Sequence, residues 1–249
     1  MTRFTGRRNV WAIEVAICPC RTERESHRSR LHPSMVRPQM SAGDPEASFT
    51  LITDPGSDAF AQFFAIYEAS IPEYERKSRE AIAALVTRAD YRIVGLEMNN
   101  DIVAFFILFL STAHSLGLLE YMATTSSARN GGLGSKLFRK AAELAGELPM
   151  LVEVDSERED TPDRALRVRR KEFYFRHGCR QIPHLDYRMP MVGSAEPPTM
   201  DLLLYWKEHE EVLSPGLVRQ WLEHIYVDVY GCSRDDGRIA TMVLSVSKI

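Results

Sequence analysis

Apolar and polar residues alternate along this chain with two different periods, and the period distinguishes strands from helices. Short apolar runs that end at turn-forming residues predict strands, at 49–54, 91–99, 102–112, 115–125, 149–155, 179–190 and 199–206. The pair Asn100-Asp101 favours a hairpin between the second and third of these runs, because both residue types tolerate turn dihedral angles. The tail at 239–247 is expected to add a closing strand.

Apolar residues three and four positions apart predict the helices, at about 57–71, 77–88, 133–146, 162–177 and 214–231. Ser57 can cap the first helix, and Gly178 is placed to end the fourth. Ser214-Pro215 is typical of a helix start, which fits the last one. Up to residue 206 the order is βααβββαβαββ, which predicts an α/β fold with helices flanking a mixed sheet.

The composition excludes several classes of partner. The 249 residues are 45% hydrophobic and 26% charged with a net charge of −3, so one large or two small domains without nucleic-acid binding are expected. The longest apolar run, 102–110, is half as long as the roughly 18 residues of a membrane helix, so no membrane partner is expected. The cysteines form no CxxC pair, which predicts no metal site and a cytoplasmic location: Cys18, Cys20, Cys179 and Cys232.

The first part of the chain differs from the rest. The stretch 21–37 is rich in arginine and poor in large apolar residues, so it cannot bury enough surface to fold. Met40 would serve as an alternative start. Residues 1–47 are therefore expected to be a disordered basic extension or the product of a wrongly assigned start.

A glycine-rich turn at 126–136, SSARNGGLGSK, leads from a predicted strand into a predicted helix. The first N–H groups of a helix lack partners and attract anions, and glycines allow a phosphate to approach the backbone closely. Arg129 and Lys136 add positive charge. The spacing matches neither the Walker loop nor the dinucleotide fingerprint. A phosphate site, a nucleotide site of another kind and a simple solvated turn all remain open at this point.

Two motifs resemble those of the GNAT (Gcn5-related) N-acetyltransferases. LEYMATTSSARNGGLGSKLF is similar to their motif A, with Arg/Gln-x-x-Gly-x-Gly/Ala present as Arg129 to Gly134. Tyr174 to Cys179 is similar to their Tyr-x-x-x-Gly-Phe, with Cys in place of Phe, and the order of elements also agrees. Thr124 and Ser126 stand where the family usually has Val and Pro. The resemblance covers about 48–206, and 207–249 is expected to be a helix and a strand appended to the same domain.

The resemblance implies a mostly antiparallel sheet, splayed between its fourth and fifth strands, that binds acetyl-CoA. The pyrophosphate would lie on the backbone amides of the glycine turn, and an N–H near Ala123 or Thr124 would polarise the thioester carbonyl. The cofactor-binding residues expected on this basis are Ala123, Thr124, Arg129, Asn130, Gly131, Gly132, Leu133, Gly134 and Ser135.

Acetyl transfer to an amine requires a base, because an amine with a pKa of about 10.4 is almost fully protonated at neutral pH. Glu120 is the candidate, since a separation of four residues would place its side chain on the same face of the strand as Thr124. A surface-facing Glu120, or Glu153 or Asp155 as the base, remains open. Tyr174 is the candidate acid for the departing thiolate, with core packing as the alternative.

These features together predict an N-acetyltransferase that uses acetyl-CoA and transfers its acetyl group to a primary amine. The acceptor would be a small molecule or a peptide, and the protein a monomer or homodimer. Loop 71–80 and the region of Tyr187 and Arg188 are expected on the acceptor side. The alternative is a non-catalytic GNAT-like module that binds CoA as a sensor or interaction domain.

Overall fold

Seven strands form one sheet in the computed structural model, which describes residues 47–128, 131–190, 199–207 and 213–246. Their spatial order is β1-β2-β3-β4-β5-β7-β6, and every neighbouring pair is antiparallel except β4 and β5, which are parallel. The strands are β1 (Ala47–Leu51), β2 (Tyr91–Met98), β3 (Asp101–Ser111), β4 (Leu116–Thr124), β5 (Met150–Asp155), β6 (Arg180–Gln181) and β7 (Met200–Tyr205). The predicted mixed, mostly antiparallel sheet is confirmed.

Helices cover both faces of this sheet, and they are α1 (Asp58–Ser70), α2 (Arg79–Val86), α3 (Leu133–Ala145), α4 (Arg164–Arg176), α5 (Pro215–His224) and α6 (Gly237–Val246). The side chain of Ser57 accepts a hydrogen bond from the N–H of Phe60, so the predicted cap of α1 is confirmed. Gly178, with φ 90°, follows the end of α4 as expected. Within the described ranges no helix is both long and apolar enough to cross a bilayer.

The two faces of the sheet bury separate apolar clusters. On the first face, α1, α2, α5 and α6 pack on the sheet, and on the second face α3 and α4 do so. Trp221 and Leu222 of α5 are buried in the first-face cluster together with residues of α1 and β3. The C-terminal helices therefore share a core with the main sheet. The domain boundaries themselves stay a prediction, and residues 1–46 lie outside the described ranges.

Two strand predictions are wrong or too long. Residues 239–247 were expected to form a strand, but Gly237–Val246 is α6, whose buried residues recur at helical spacing: Ile239, Met242, Val243 and Val246. The run at 179–190 forms only the two-residue strand β6, because Pro183 has no N–H with which to continue a ladder. The hairpin turn also shifts by one residue, to Asn99 and Asn100 with φ 54° and 67°.

Helix α4 is tied to the sheet by buried ion pairs. The Lys171 ammonium lies 2.6 Å from Asp201 of β7 and also contacts Glu157, while Arg158 lies 3.1 Å from Asp201. Arg170 forms a buried ion pair with Asp155 at the end of β5. A buried charge that loses its partner is costly, so these pairs make the docking of α4 sensitive to single substitutions.

Replacing Lys171 by Met is expected to lower the free energy of unfolding by about 3 kcal/mol, because Asp201 then stays buried with less compensation. The matched control is Lys140→Met on α3, whose pair with Glu143 is exposed and is worth less than about 1 kcal/mol. Urea denaturation of both variants and the wild type measures the difference. Equal losses for the two variants would contradict the structural role of Lys171.

Candidate active site

Strands β4 and β5 separate soon after they start. Their parallel pairing comprises only the rows Gly117–Met150, Leu118–Leu151 and Leu119–Val152. Beyond that row β5 stays paired with β7 as far as Asp155, and β4 stays paired with β3 as far as Thr124. The predicted splay between the fourth and fifth strands is confirmed. It leaves one edge of residues 120–124 without a strand partner among the described residues.

A β-bulge at Glu120 accompanies the splay. Tyr121 pairs with Ile107 and Leu119 pairs with Leu108, so Glu120 is an extra residue in β4 that faces no partner in β3. A bulge bends the strand and interrupts the alternation of its side chains. The ammonium of Lys77 contacts the Glu120 carboxylate and lies 5.4 Å from the centre of the Tyr121 ring. The side chains of Glu120 and Tyr121, although adjacent in sequence, therefore both lie on the first face.

The predicted placement of Glu120 beside Thr124 is therefore wrong. Thr124 pairs with Ala104, a second-face residue, whereas Ala123 pairs with Phe105 of the first face. The separation of four residues gives the same face only in a regular strand, and the bulge adds a residue. Glu120 thus shares the first face with Ala123, which is the other residue whose backbone N–H was predicted to face the thioester.

Glu120 is buried, with 8% of the residue exposed. Its Oε1 is paired with the Lys77 ammonium, while no described residue donates a hydrogen bond to the buried Oε2. A buried carboxylate oxygen without a donor is unusual in a folded protein and often marks a functional position. The surface-facing alternative for Glu120 is thereby excluded.

Glu153 lies on β5 directly beyond the last paired row, as Glu120 does on β4. Its Oε1 accepts a hydrogen bond from the Tyr187 hydroxyl, and its Oε2 accepts one of 2.6 Å from the Tyr230 hydroxyl. Burial raises the pKa of Glu153, against the opposing effects of these two hydrogen bonds and of Lys77. Both oxygens are occupied, which distinguishes Glu153 from Glu120.

The Lys77 ammonium is enclosed at this point of the splay. It lies 5.4 Å from the ring centre of Tyr121 and 5.3 Å from that of Tyr230, distances at which a cation is attracted to an aromatic face. Burial lowers the pKa of Lys77 to about 8, partly offset by the charge of Glu153. Glu120, Tyr121, Glu153 and Tyr230 are named the ammonium cage below.

Sequence patterns had not identified Lys77, Tyr121 or Tyr230. Lys77 falls inside the loop expected on the acceptor side, but Tyr230 follows α5, beyond the segment that resembled the family. Tyr187 was expected on the acceptor side, and it contacts Glu153. Asp155, the third candidate base, is instead paired with Arg170.

Tyr174 lies on α4, on the second face, and is 2% exposed. Its ring packs at 5.7 Å from Phe138 and 5.1 Å from Phe173, and Val152 and Val154 of β5 belong to the same cluster. Burial raises the pKa of its phenol, so the hydroxyl stays protonated at neutral pH. Tyr174 and Glu120 therefore lie on opposite faces of the splayed strands.

The glycine turn is open where it is described. Gly131 and Gly132 are exposed, Gly132 has φ 69° at the N-terminal cap of α3, and a Cβ there would meet nothing within 4 Å. Leu133 is buried and anchors the helix. No described residue accepts a hydrogen bond from the N–H groups of the turn residues Gly131, Gly132, Leu133, Gly134 and Ser135. Arg129 and Asn130 lie outside the described ranges.

A pocket of about 460 Å³ lies between α1 and the end of β4. It is lined by Ala65, Ile66, Ala69, Ser70, Thr124, Thr125 and Ser126. The small side chains of α1 leave this space beside the end of β4, where β4 is paired with β3 but no longer with β5. Of the predicted cofactor residues, Thr124 borders the pocket and Ala123 is buried beside it.

One group of metal-ligating residue types occurs in the described part of the chain. Asp228 Oδ2 lies 3.1 Å from His224 Nδ1 and 3.9 Å from His114 Nε2. The two imidazole rings are stacked, with centres 3.4 Å apart and planes inclined by 15°. The nitrogen lone pairs of two imidazole rings stacked in nearly parallel planes do not point at one common metal position. The group is therefore a hydrogen-bonded stack that joins the β3–β4 turn to α5.

Comparison with known proteins relates the part of the chain that contains the splayed strands and the glycine turn to one family. Residues 59–168 match the acetyltransferase (GNAT) family. A curated relative with the name of an acetyltransferase, YjbC of Bacillus subtilis (strain 168), is 29% identical over 160 residues, which are 62% of this chain and 76% of that protein.

Solved structures similar to this chain include one from Bacteroides thetaiotaomicron, assigned to the same family. It superposes with a TM-score of 0.61 at 22% identity over 75% of this chain and 99% of that chain. An acetyltransferase-like structure from Staphylococcus epidermidis ATCC 12228 gives a TM-score of 0.50 at 14% identity over 65% and 99%. At these identities the two structures support the fold alone. The family match ends before Tyr174 and does not include the C-terminal helices.

Proposed function

We propose that this chain is an acetyl-CoA-dependent N-acetyltransferase that transfers the acetyl group to a primary amine by direct attack. The observation that carries the proposal is the arrangement at the splay of β4 and β5. A buried carboxylate with one open oxygen, Glu120, lies on the first face there, and a buried protonated phenol, Tyr174, lies on the second.

The donor would be held by backbone groups. The open N–H groups at the start of α3 suit a pyrophosphate, because the helix dipole and the unpaired donors both favour negative charge there. The cofactor residues proposed remain those from Arg129 to Ser135. The unpaired edge of β4 would bind the pantetheine arm as an added strand.

The reacting carbonyl would lie near Ala123 or Thr124, beyond the bulge. A backbone N–H directed at the carbonyl oxygen stabilises the charge that develops as the amine attacks. The pocket beside Thr124 offers space for this part of the donor. The amine nitrogen forms a bond to the carbonyl carbon, and the bond from that carbon to sulfur then breaks.

Glu120 would act as the base. Its open Oε2 can take a proton from the attacking amine, directly or through water, and it lies on the same face as Ala123. Glu153 is less suited, since tyrosine hydroxyls occupy both of its oxygens. Tyr174 would supply a proton to the thiolate from the opposite face.

Binding of acetyl-CoA is tested by its effect on thermal unfolding. A ligand present at about 100 times its dissociation constant stabilises the native state by about 2.7 kcal/mol, which raises the melting temperature of a chain of this size by about 5–10 °C. Scanning calorimetry with acetyl-CoA and with ATP makes the comparison. A shift with ATP alone would favour a nucleotide site and contradict the proposal.

Transfer is tested by thiol release from acetyl-CoA in the presence of a panel of primary amines, including alkylamines, diamines and peptides that end in lysine. We expect amine-dependent release that exceeds hydrolysis, with the acetylated amine confirmed by mass spectrometry. Stabilisation by acetyl-CoA without transfer to any amine would instead support the sensor or interaction module, which binds CoA without catalysis.

A further inference from the structure

The apex of the splay, the point at which β4 and β5 separate, already holds an ammonium group. This group is the side-chain ammonium of Lys77. Lys77 reaches the apex from the connection between α1 and α2, where its backbone N–H donates a 2.8 Å hydrogen bond to the Tyr67 hydroxyl. The Tyr121 hydroxyl donates a 3.0 Å bond to the carbonyl of Glu75 in the same connection. Two tyrosines of the core therefore fix the loop that delivers Lys77.

The surroundings of this ammonium are those of a cation site. Glu120 provides a direct ion pair, Glu153 adds a second negative charge, and the rings of Tyr121 and Tyr230 lie within 5.4 Å of Nζ. Removing charges from water is costly, so a buried site needs such compensation on several sides. Cages of aromatic rings and carboxylates are the means by which proteins recognise ammonium ligands.

Lys77 leaves part of the site unused. Glu120 is 8% exposed, and its Oε2 receives no hydrogen bond from any residue that the structure describes. An ammonium has three donors, so a cation placed between the two oxygens of Glu120 engages both. The cage therefore offers an ammonium group one more hydrogen-bond acceptor than Lys77 engages.

We propose that the ammonium cage of Glu120, Tyr121, Glu153 and Tyr230 is the binding site for the amino group of the acceptor, and that Lys77 occupies it as an internal substitute which the acceptor displaces. The inference rests on the proposed function, because the cage lies at the apex where that function requires the amine. It assigns the acceptor to aliphatic primary amines with a methylene chain next to the nitrogen, like the side chain that now fills the site.

The displacement has a consequence for the acceptor's charge state. A nitrogen in the cage exchanges water for low-dielectric surroundings, which lowers the pKa of Lys77 to about 8. An acceptor amine in the same position is subject to the same effect, so a larger fraction of it is neutral than in water. The cage thus binds the cation and also brings its deprotonation closer to neutral pH.

The test is chemical rescue of a vacated cage, measured by calorimetric binding to the full chain without acetyl-CoA. Lys77→Ala removes the part of the side chain equivalent to n-propylammonium, and Lys77→Met removes only the ammonium. We expect n-propylammonium to bind Lys77→Ala at least about tenfold more tightly than wild type, a factor that corresponds to about 1.4 kcal/mol. Ammonium ion, and not n-propylammonium, is expected to bind Lys77→Met.

Three controls isolate the cage. 1-Propanol has the size of n-propylammonium without its charge and is expected not to bind Lys77→Ala. Lys140→Ala removes an exposed ammonium paired with Glu143 and is expected to gain no affinity for either probe. Adding Glu120→Gln to Lys77→Ala removes one carboxylate charge and is expected to abolish the gain.

Kinetics connect the cage to the acceptor. We expect Lys77→Ala to lower the KM for alkylamines about tenfold, because the internal competitor is gone, while the KM for acetyl-CoA stays within about twofold. Failure of both Lys77 variants to bind their matching probes more tightly than wild type would overturn the inference. A wild type that acetylates amines would in that case leave the proposed function intact, whereas probe binding without transfer to any amine would remove the function and leave a cation site.

Discussion

Replacing Glu120 by Gln is expected to lower the kcat of acetyl transfer by roughly 10²–10⁴-fold, the usual contribution of a positioned general base. The amide keeps the shape of the side chain but cannot take the proton of the attacking amine. The amine must then lose its proton to solvent, so the remaining activity should rise by about tenfold per pH unit as long as the pH stays below the pKa of the bound amine. Steady-state rates with the best amine of the panel, measured from pH 6 to pH 10, test this expectation.

The control for Glu120→Gln is Glu97→Gln on β2, where the carboxylate accepts a 3.0 Å hydrogen bond from the Thr50 hydroxyl. Its kcat should stay within about twofold of wild type, because Glu97 belongs to a strand away from the splay. Glu153→Gln separates the two candidate carboxylates. A larger loss of kcat for Glu153→Gln than for Glu120→Gln would reverse the assignment of the base.

Tyr174→Phe is expected to lower kcat by about 10²-fold, the lower end of the range for acid–base catalysis, with the dissociation constant of acetyl-CoA nearly unchanged. The phenol that burial keeps protonated is lost, while the ring that packs on Phe138 and Phe173 is kept. Stopped assays of acetyl transfer and calorimetric titration with acetyl-CoA measure the two quantities separately.

A matched control for this variant is Tyr205→Phe. Tyr205 packs edge-on against the same ring of Phe138, at 5.5 Å, but it pairs with Met150 at the N-terminal end of β5, where β4 and β5 are still joined, before they separate. Its kcat should not change. The loss in Tyr174→Phe should also shrink for an acetyl donor whose thiol is more acidic than that of CoA, since a better leaving group needs less help from an acid. A loss of equal size with both donors would leave Tyr174 with a packing role only.

Local chemistry explains why many elements could be predicted from the sequence. The cap at Ser57 and the stop at Gly178 depend on residues within a few positions of each other. The mostly antiparallel sheet and the splay could be expected because two short motifs, one beginning at Arg129 and one at Tyr174, resemble those of a known family. The family match over residues 59–168 confirms the resemblance, and the mostly antiparallel splayed sheet is confirmed as well.

The errors have a common physical cause, which is that an apolar run does not by itself specify its partner. The run at 239–247 contains spacings that suit either a strand or a helix, and its contacts with α5 and the first-face cluster select the helix α6. The pairing of Glu120 with Thr124 assumed a regular strand. Only the register between β3 and β4 reveals the extra residue at Glu120.

The sequence by itself determined the elements whose causes are local, namely the helices α1 to α5, the cap at Ser57, the long strands and the glycine turn that opens α3. The tertiary structure alone decided the chemistry at the splay, because the cage joins groups that are distant along the chain. Lys77 and Glu120 are 43 residues apart, and Glu153 and Tyr230 are 77 apart. Periodicity carries no information about such contacts, since they depend on which strands pair, where the pairing stops and which helices pack on the exposed face.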